Sequence, residues 1–251
     1  MSIPIALQLY SIREDCARDL IGCLSKVAEM GYQGVEFAGY HGHSAADLRA
    51  ALDANNLVCE GAHVGLSLLD EANFDSTVAF HKELGCPWLI VPWMPESMHS
   101  SVEATKQTAE MLTELVGMLA EHGLRTGFHA HQGDMVVLEN GQTAWDILAE
   151  NTPAEFIMQY DTANGMSGGA DPVQPIRNWP GRAQSLHLKE WSGEHGAKVI
   201  GEGVIPWADV FDAAENGGGT EWYVVEHESY DGMTALEAVD KCLENLRGMG
   251  K

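Results

Sequence analysis

The sequence predicts an α/β chain folded as one closed (β/α)8 TIM barrel over residues 1–251. Three observations carry that expectation. Short β-rich runs alternate with segments of helical period about eight times, which implies parallel strand–helix–strand units. Several runs are nearly all apolar, as strands covered on both faces are. No Pro- or Ser-rich linker or break in composition divides the chain, and α/β barrels commonly form one domain of about 250 residues. An open doubly wound sheet would advertise a Gly-x-Gly-x-x-Gly fingerprint after its first strand, and none is present.

The expected strands are 3–9 (IPIALQL), 34–37 (GVEF), 57–63 (LVCEGAH), 88–91 (WLIV), 124–129 (LRTGFH), 156–160 (FIMQY), 184–188 (QSLHL) and 222–226 (WYVVE). After the first, Leu20, Leu24, Val27 and Ala28 recur at helical spacing up to Met30, and Gly31 can take the left-handed position that ends a helix. After the fourth, Ala104, Thr108, Met111, Leu112, Leu115, Met118 and Leu119 form an apolar stripe within 100–122, closed by Gly123. The last helix opens at Thr234 with Glu237 three residues on, a capping box, and continues through Leu236, Val239, Leu243 and Leu246. The Gly-rich stretches Asn164–Gly169 and Asn216–Gly219 read as loops.

With 14 Lys+Arg against 37 Asp+Glu the net charge is −23 at neutral pH. Nucleic acids and anionic membranes draw sequence-independent affinity from clustered Lys and Arg, so neither is an expected partner. No stretch approaches the roughly 20 apolar residues of a membrane span. The start, MSIPIALQLYSIRED, lacks the layout of a secretory signal. Cys16, Cys23, Cys59, Cys86 and Cys242 are odd in number and lack Cys-x-x-Cys spacing, so they read as small buried hydrophobes in a reducing cytoplasm. The helix faces allow a homodimer without demanding one.

In a barrel, active-site groups sit at the C-terminal ends of the strands and in the loops that follow. Here those ends carry Gln8 and Tyr10, Glu36, His63, Trp93, His129 and His131, Asp161, His187 and Lys189, and Glu226 and Glu228. Successive side chains alternate faces. If Leu186 and Leu188 face the helices, then Ser185, His187 and Lys189 face the axis; by the same parity His129 pairs with His131, and Glu226 with Glu228. A mouth holding several imidazoles and carboxylates without thiolates suits a divalent cation, Mn²⁺ first, with Zn²⁺, Co²⁺ or Mg²⁺ as alternatives. Tyr10, Trp93 and Phe37 are candidates for an apolar wall under a sugar ring.

The motifs Gln8-Leu-Tyr-Ser11, Gly31-Tyr-Gln-Gly-Val-Glu-Phe37, Phe128-His-Ala-His131, Tyr160-Asp-Thr-Ala-Asn164, Leu186-His-Leu-Lys189, Gly201-Glu-Gly-Val-Ile-Pro-Trp207 and Val225-Glu226 run in order along nearly the whole chain. As an ordered set they resemble the xylose isomerase-like TIM-barrel superfamily, in its sugar phosphate isomerase/epimerase branch, which also includes inosose dehydratases and endonuclease IV-type relatives. The resemblance implies a divalent cation held by one residue from each of the last four strands, here His129, Asp161, His187 and Glu226. The epimerases of that superfamily usually place Glu on strand five, where this chain has His129-Ala-His131. The Lys-Asp that usually follows the seventh-strand His is here Lys189-Glu190.

The leading expectation is a sugar isomerase or epimerase moving a proton α to a carbonyl through an ene-diolate, with Glu226 as base and His131 or Lys189 delivering the proton. Tyr10, Glu36, His63, Trp93 and Glu228 are expected to contact substrate. The alternative is a dehydratase or lyase acting on a keto-sugar or keto-inositol. One base suffices for elimination, so His129 in place of a carboxylate favours it over two-base epimerisation. A catalytically silent sugar-binding barrel is a third reading, and phosphodiester hydrolysis on DNA is disfavoured by the charge. With Lys189 and Arg177 the only basic groups expected near the mouth, an unphosphorylated sugar is favoured.

Overall fold

The structure, a computed structural model, describes residues 2–193, 198–230 and 232–251. Eight parallel strands close on themselves in chain order: β1 (Ile5–Gln8), β2 (Gly34–Phe37), β3 (Val58–His63), β4 (Trp88–Val91), β5 (Arg125–His129), β6 (Ile157–Asp161), β7 (Ser185–Leu188) and β8 (Trp222–Val225). Closure is direct, since Ala6 of β1 lies in register with Gly34 of β2 on one side and Val224 of β8 on the other. The expected (β/α)8 barrel is what forms, and each strand lies within two residues of its expected bounds.

Helices α1 (Arg13–Met30), α2 (Ala45–Ala54), α3 (Phe74–Leu84), α4 (Val102–Ala120), α5 (Ala144–Asn151), α6 (Thr162–Ser167), α7 (Gln174–Asn178), α8 (Trp207–Ala213) and α9 (Ala235–Gly248) wrap the sheet. α1 stops at Gly31, whose φ of 97° is the left-handed conformation a side chain would resist, and whose N–H donates to the Ala28 and Val27 carbonyls. α9 starts with the expected box: the Thr234 hydroxyl accepts from the Glu237 N–H at 3.2 Å, and the Glu237 carboxylate accepts from the Thr234 N–H at 2.8 Å. The α4 stripe differs in part, because Met118 is exposed while Thr105 and Ala109 complete the buried face. The stretch expected as a loop at Asn164–Gly169 is largely α6, since the Asp161 carboxylate caps it by accepting the Asn164 N–H. Among the described residues no helix is long and apolar enough to cross a membrane.

Strand parity divides the core. Outward side chains such as Leu7, Val35, Leu89, Phe128, Met158, Leu186 and Val225 pack under the helices. Phe37 belongs to this set: it is wholly buried with its ring 5.7 Å from Tyr40, so it does not form the expected wall of the mouth. Inside the barrel, Trp88, Ile90 and Ile157, with Trp222 against them, form a separate apolar cluster. Polar inward residues lie toward the C-terminal ends of the strands. The β2–β3 register shifts between Val35 and Glu36, so that Glu36 pairs with Gly61 and Glu60 is left without an opposite residue. All five cysteines are free and buried.

Candidate active site

At the C-terminal mouth lies a cavity of about 450 Å³ lined by Tyr10, Ala38, His63, Pro92, Trp93, His129, His131, Asn164, Glu226 and Glu228. The strand ends therefore converge on one place, as parity requires, and the side chains there form one hydrogen-bonded system.

Its base is Gln159 of β6, two residues before Asp161 and on the same face. The Gln159 amide donates to Glu36 at 2.7 Å and to the Ser185 hydroxyl at 2.8 Å. Its carbonyl oxygen therefore faces two imidazoles, and accepts from His129 Nδ1 at 2.9 Å and His63 Nε2 at 3.0 Å. That bond fixes the His129 tautomer, leaving an Nε2 lone pair 3.3 Å from the Asn164 amide. Burial and then the charge of His187 hold His129 well below the usual imidazole range, so it is neutral.

His187 sits between carboxylates, Nε2 donating to Glu36 at 2.7 Å and Nδ1 to Glu226 at 2.8 Å. Burial works against its charge, but Glu36 and Glu226 outweigh it and hold the pKa up to about 10. Glu226 would likewise be raised by burial, yet the Lys189 ammonium and His187 hold it well below the usual carboxylate range. Lys189, fully buried, donates to Glu226 Oε1 at 2.9 Å and to Glu228. Burial would lower its pKa; Glu226, Asp161 and Glu228 outweigh that and raise it, so it is an ammonium. Asp161 keeps one oxygen on the Asn164 N–H at 2.7 Å, while its Oδ2 is buried without a hydrogen bond, 4.0 Å from His187 Nδ1.

His129, Asp161, His187 and Glu226 each turn one ligand atom into a set lying within 4.8 Å of one another, all buried. Tyr10 and Trp93, 44% and 61% exposed, stand at the rim, and His63, His131 and Glu228 line the wall. Glu36 departs from expectation. It is fully buried beneath His187, with Gln8, Gln159 and His187 all bonded to its carboxylate, so it positions those groups and does not line the mouth. Arg177 also departs, facing Asp212 at 3.5 Å on the helical shell. Gln159 and Asn164 were not among the expected site residues. The signal for Gln159 was its inward parity with Asp161.

A family model described as xylose isomerase-like TIM barrel matches residues 24–249. The chain belongs to that family. A curated inosose dehydratase from Geobacillus kaustophilus is 28% identical over 191 residues, covering 66% of this chain and 60% of the relative, so the match spans less than two thirds of that protein. A solved sugar phosphate isomerase/epimerase from Parabacteroides distasonis superposes with a TM-score of 0.84 at 22% identity, covering 98% of this chain and 94% of the other. The IOLI protein, solved with a binding zinc atom, superposes at 0.73 and 14% identity, covering 98% and 97%. At these identities the two structures speak for the fold.

The residues present fit a divalent cation. Asp161 Oδ2 is a buried carboxylate oxygen lacking any hydrogen bond, which is costly unless a positive charge meets it. His129 presents a lone pair whose direction its Nδ1 bond sets. His187, if it gave Nδ1 to a cation, would keep Nε2–H on Glu36, the carboxylate–histidine pairing that orients metal ligands.

Proposed function

We propose that this protein is a divalent-metal-dependent dehydratase acting on a polyhydroxylated ring ketone of the keto-inositol or keto-sugar class. The observation that carries this reading is the one-sidedness of the mouth. Its lining carboxylates, Glu226 and Glu228, both come from the end of β8, whereas His63, His129 and His131 line other parts of the wall. Epimerisation by a pair of carboxylates needs one on each face of the reacting carbon. Elimination needs one acceptor and one donor. The inosose dehydratase relative supports the same class, and the net charge of −23 speaks against a nucleic-acid substrate.

His129, Asp161, His187 and Glu226 would hold the cation. When bound, it supplies Lewis acidity that polarises the substrate carbonyl. Glu226, kept ionised by Lys189 and His187, takes the proton from the carbon next to the carbonyl. The electron pair of that C–H bond forms a double bond to the neighbouring carbon. The hydroxyl on that carbon leaves as water, with a proton from His131, whose ring lines the cavity and whose Nδ1 has no hydrogen bond. Lys189 keeps its proton and acts as a fixed positive charge behind Glu226 and Glu228. Tyr10 and Trp93 supply apolar faces for the ring.

Turnover tests the proposal. Inosose incubated with metal-supplied protein should give an unsaturated ring ketone, seen as new near-ultraviolet absorbance, and chelation should abolish it. A metal-loaded protein that leaves inosose and related ring ketones unchanged would contradict the reading and favour a silent sugar-binding barrel.

A further inference from the structure

Beside the mouth lies a second cavity, of about 360 Å³, and the two share the side chains of Trp93 and His131. It is built by the loops after β4 and β5, on the catalytic face. Met94 and Phe128, each 1% exposed, lie buried beneath it, and its accessible lining is the Trp93 indole with Glu96, His99, His131, Gln132 and Gly133. Its polar side is ordered by Asp134, itself 1% exposed, which accepts the His131 backbone N–H at 2.7 Å and faces His99 Nδ1 at 3.1 Å. Trp93, between the two cavities, is 61% exposed. An indole that open on the catalytic face, with a cavity on either side, offers a stacking surface to a ligand ring.

Of the groups assigned to proton transfer or to the cation, only His131 borders this side cavity. A substrate portion seated there lies away from the chemistry. Its volume falls within the range of roughly 300–1,000 Å³ typical of whole ligand pockets, so it accepts a ring-sized group. We infer that the side cavity is a second subsite, and that the substrate is a polyhydroxylated ring carrying a ring-sized, mainly apolar substituent such as an aryl group. The reacting ring lies in the mouth, the substituent stacks on the Trp93 indole in the side cavity, and His99 meets a hydrogen-bonding group on it. This inference rests on the proposed function only in placing the reacting ring in the mouth.

Two unreactive glucosides with the same ring test it by calorimetric titration of the metal-supplied protein. Phenyl β-D-glucoside should bind at least tenfold tighter than methyl β-D-glucoside. Gly133→Leu removes room from the side cavity alone, since a Cβ there starts 3.6 Å from His99 Cε1, an ordinary contact, and Gly133 does not line the mouth. That variant should lose the phenyl advantage and keep methyl glucoside affinity. Gly133→Ala, the milder change, should lose part of the advantage and covers the case in which the leucine variant does not fold. Equal affinities for the two glucosides in the wild type, or an advantage that survives Gly133→Leu, would overturn the second subsite and leave the mouth standing. Failure of both glucosides to bind would overturn the mouth as a ring site and this inference with it.

Discussion

At the residue scale, Glu226 carries the heaviest assignment, as ligand through one oxygen and base in the reaction. Glu226→Gln keeps the size and one carbonyl oxygen but removes the proton acceptor. Metal affinity, followed by titration, should weaken modestly, while turnover falls by about 10²–10⁴-fold or more. Glu60 shows the opposite electrostatics. Both of its carboxylate oxygens are buried without hydrogen bonds, and burial, with the nearby Glu36 charge, pushes its pKa well above the usual range. A carboxyl raised in the folded state favours folding while it is protonated and costs stability as pH rises above its unfolded pKa, about 4.3. Glu60→Gln should therefore unfold at higher denaturant concentration than the wild type at pH 7, and the gap should close as pH falls toward 4. Strand parity alone turned His129, His131, His187, Lys189, Glu226 and Glu228 toward the axis, Asp161 was read as the end of its strand, and the grouping of His129, Asp161, His187 and Glu226 came from the family resemblance. Glu36 was misread as substrate-binding because parity says that a side chain faces inward, not how far below the mouth it lies.

At the element scale, alternation gave the strand bounds almost residue for residue, because each parallel strand is an apolar run between turn residues and the closed sheet tolerates little slippage. Short elements were harder to read. α6 was taken for a loop because its Gly and Asn content outweighs propensity, and only the Asp161 cap, visible once β6 is in place, explains why it forms. Met118 was assigned to the buried stripe because spacing defines a helix face only to within about one residue. β5 depends on Gly127, where a Cβ would stand 2.2 Å from the Ile157 carbonyl oxygen of β6. Gly127→Ala must part these strands just below His129. It should cost about 1–3 kcal/mol or more in chemical denaturation and weaken metal binding, although residue 127 touches no ligand.

At the scale of the whole molecule, the barrel brings the proposed ligands of four strands to one end, so binding a cation would also add to folding energy. Purified protein should bind about one divalent ion, Asp161→Ala and His187→Ala should each abolish binding, and saturation at a hundredfold excess over Kd should add about 2.7 kcal/mol to stability, read as a rise in Tm. His187 must release its Nδ1 proton to become a ligand, so affinity should fall as pH drops. The central claim is that the one-sided mouth eliminates water. Mass spectrometry of the products formed from inosose in D₂O tests it most directly. The expected result is a product lighter by one water and no epimer in the residual substrate. An isomerised or epimerised ketone carrying solvent deuterium, with no loss of water, would contradict it.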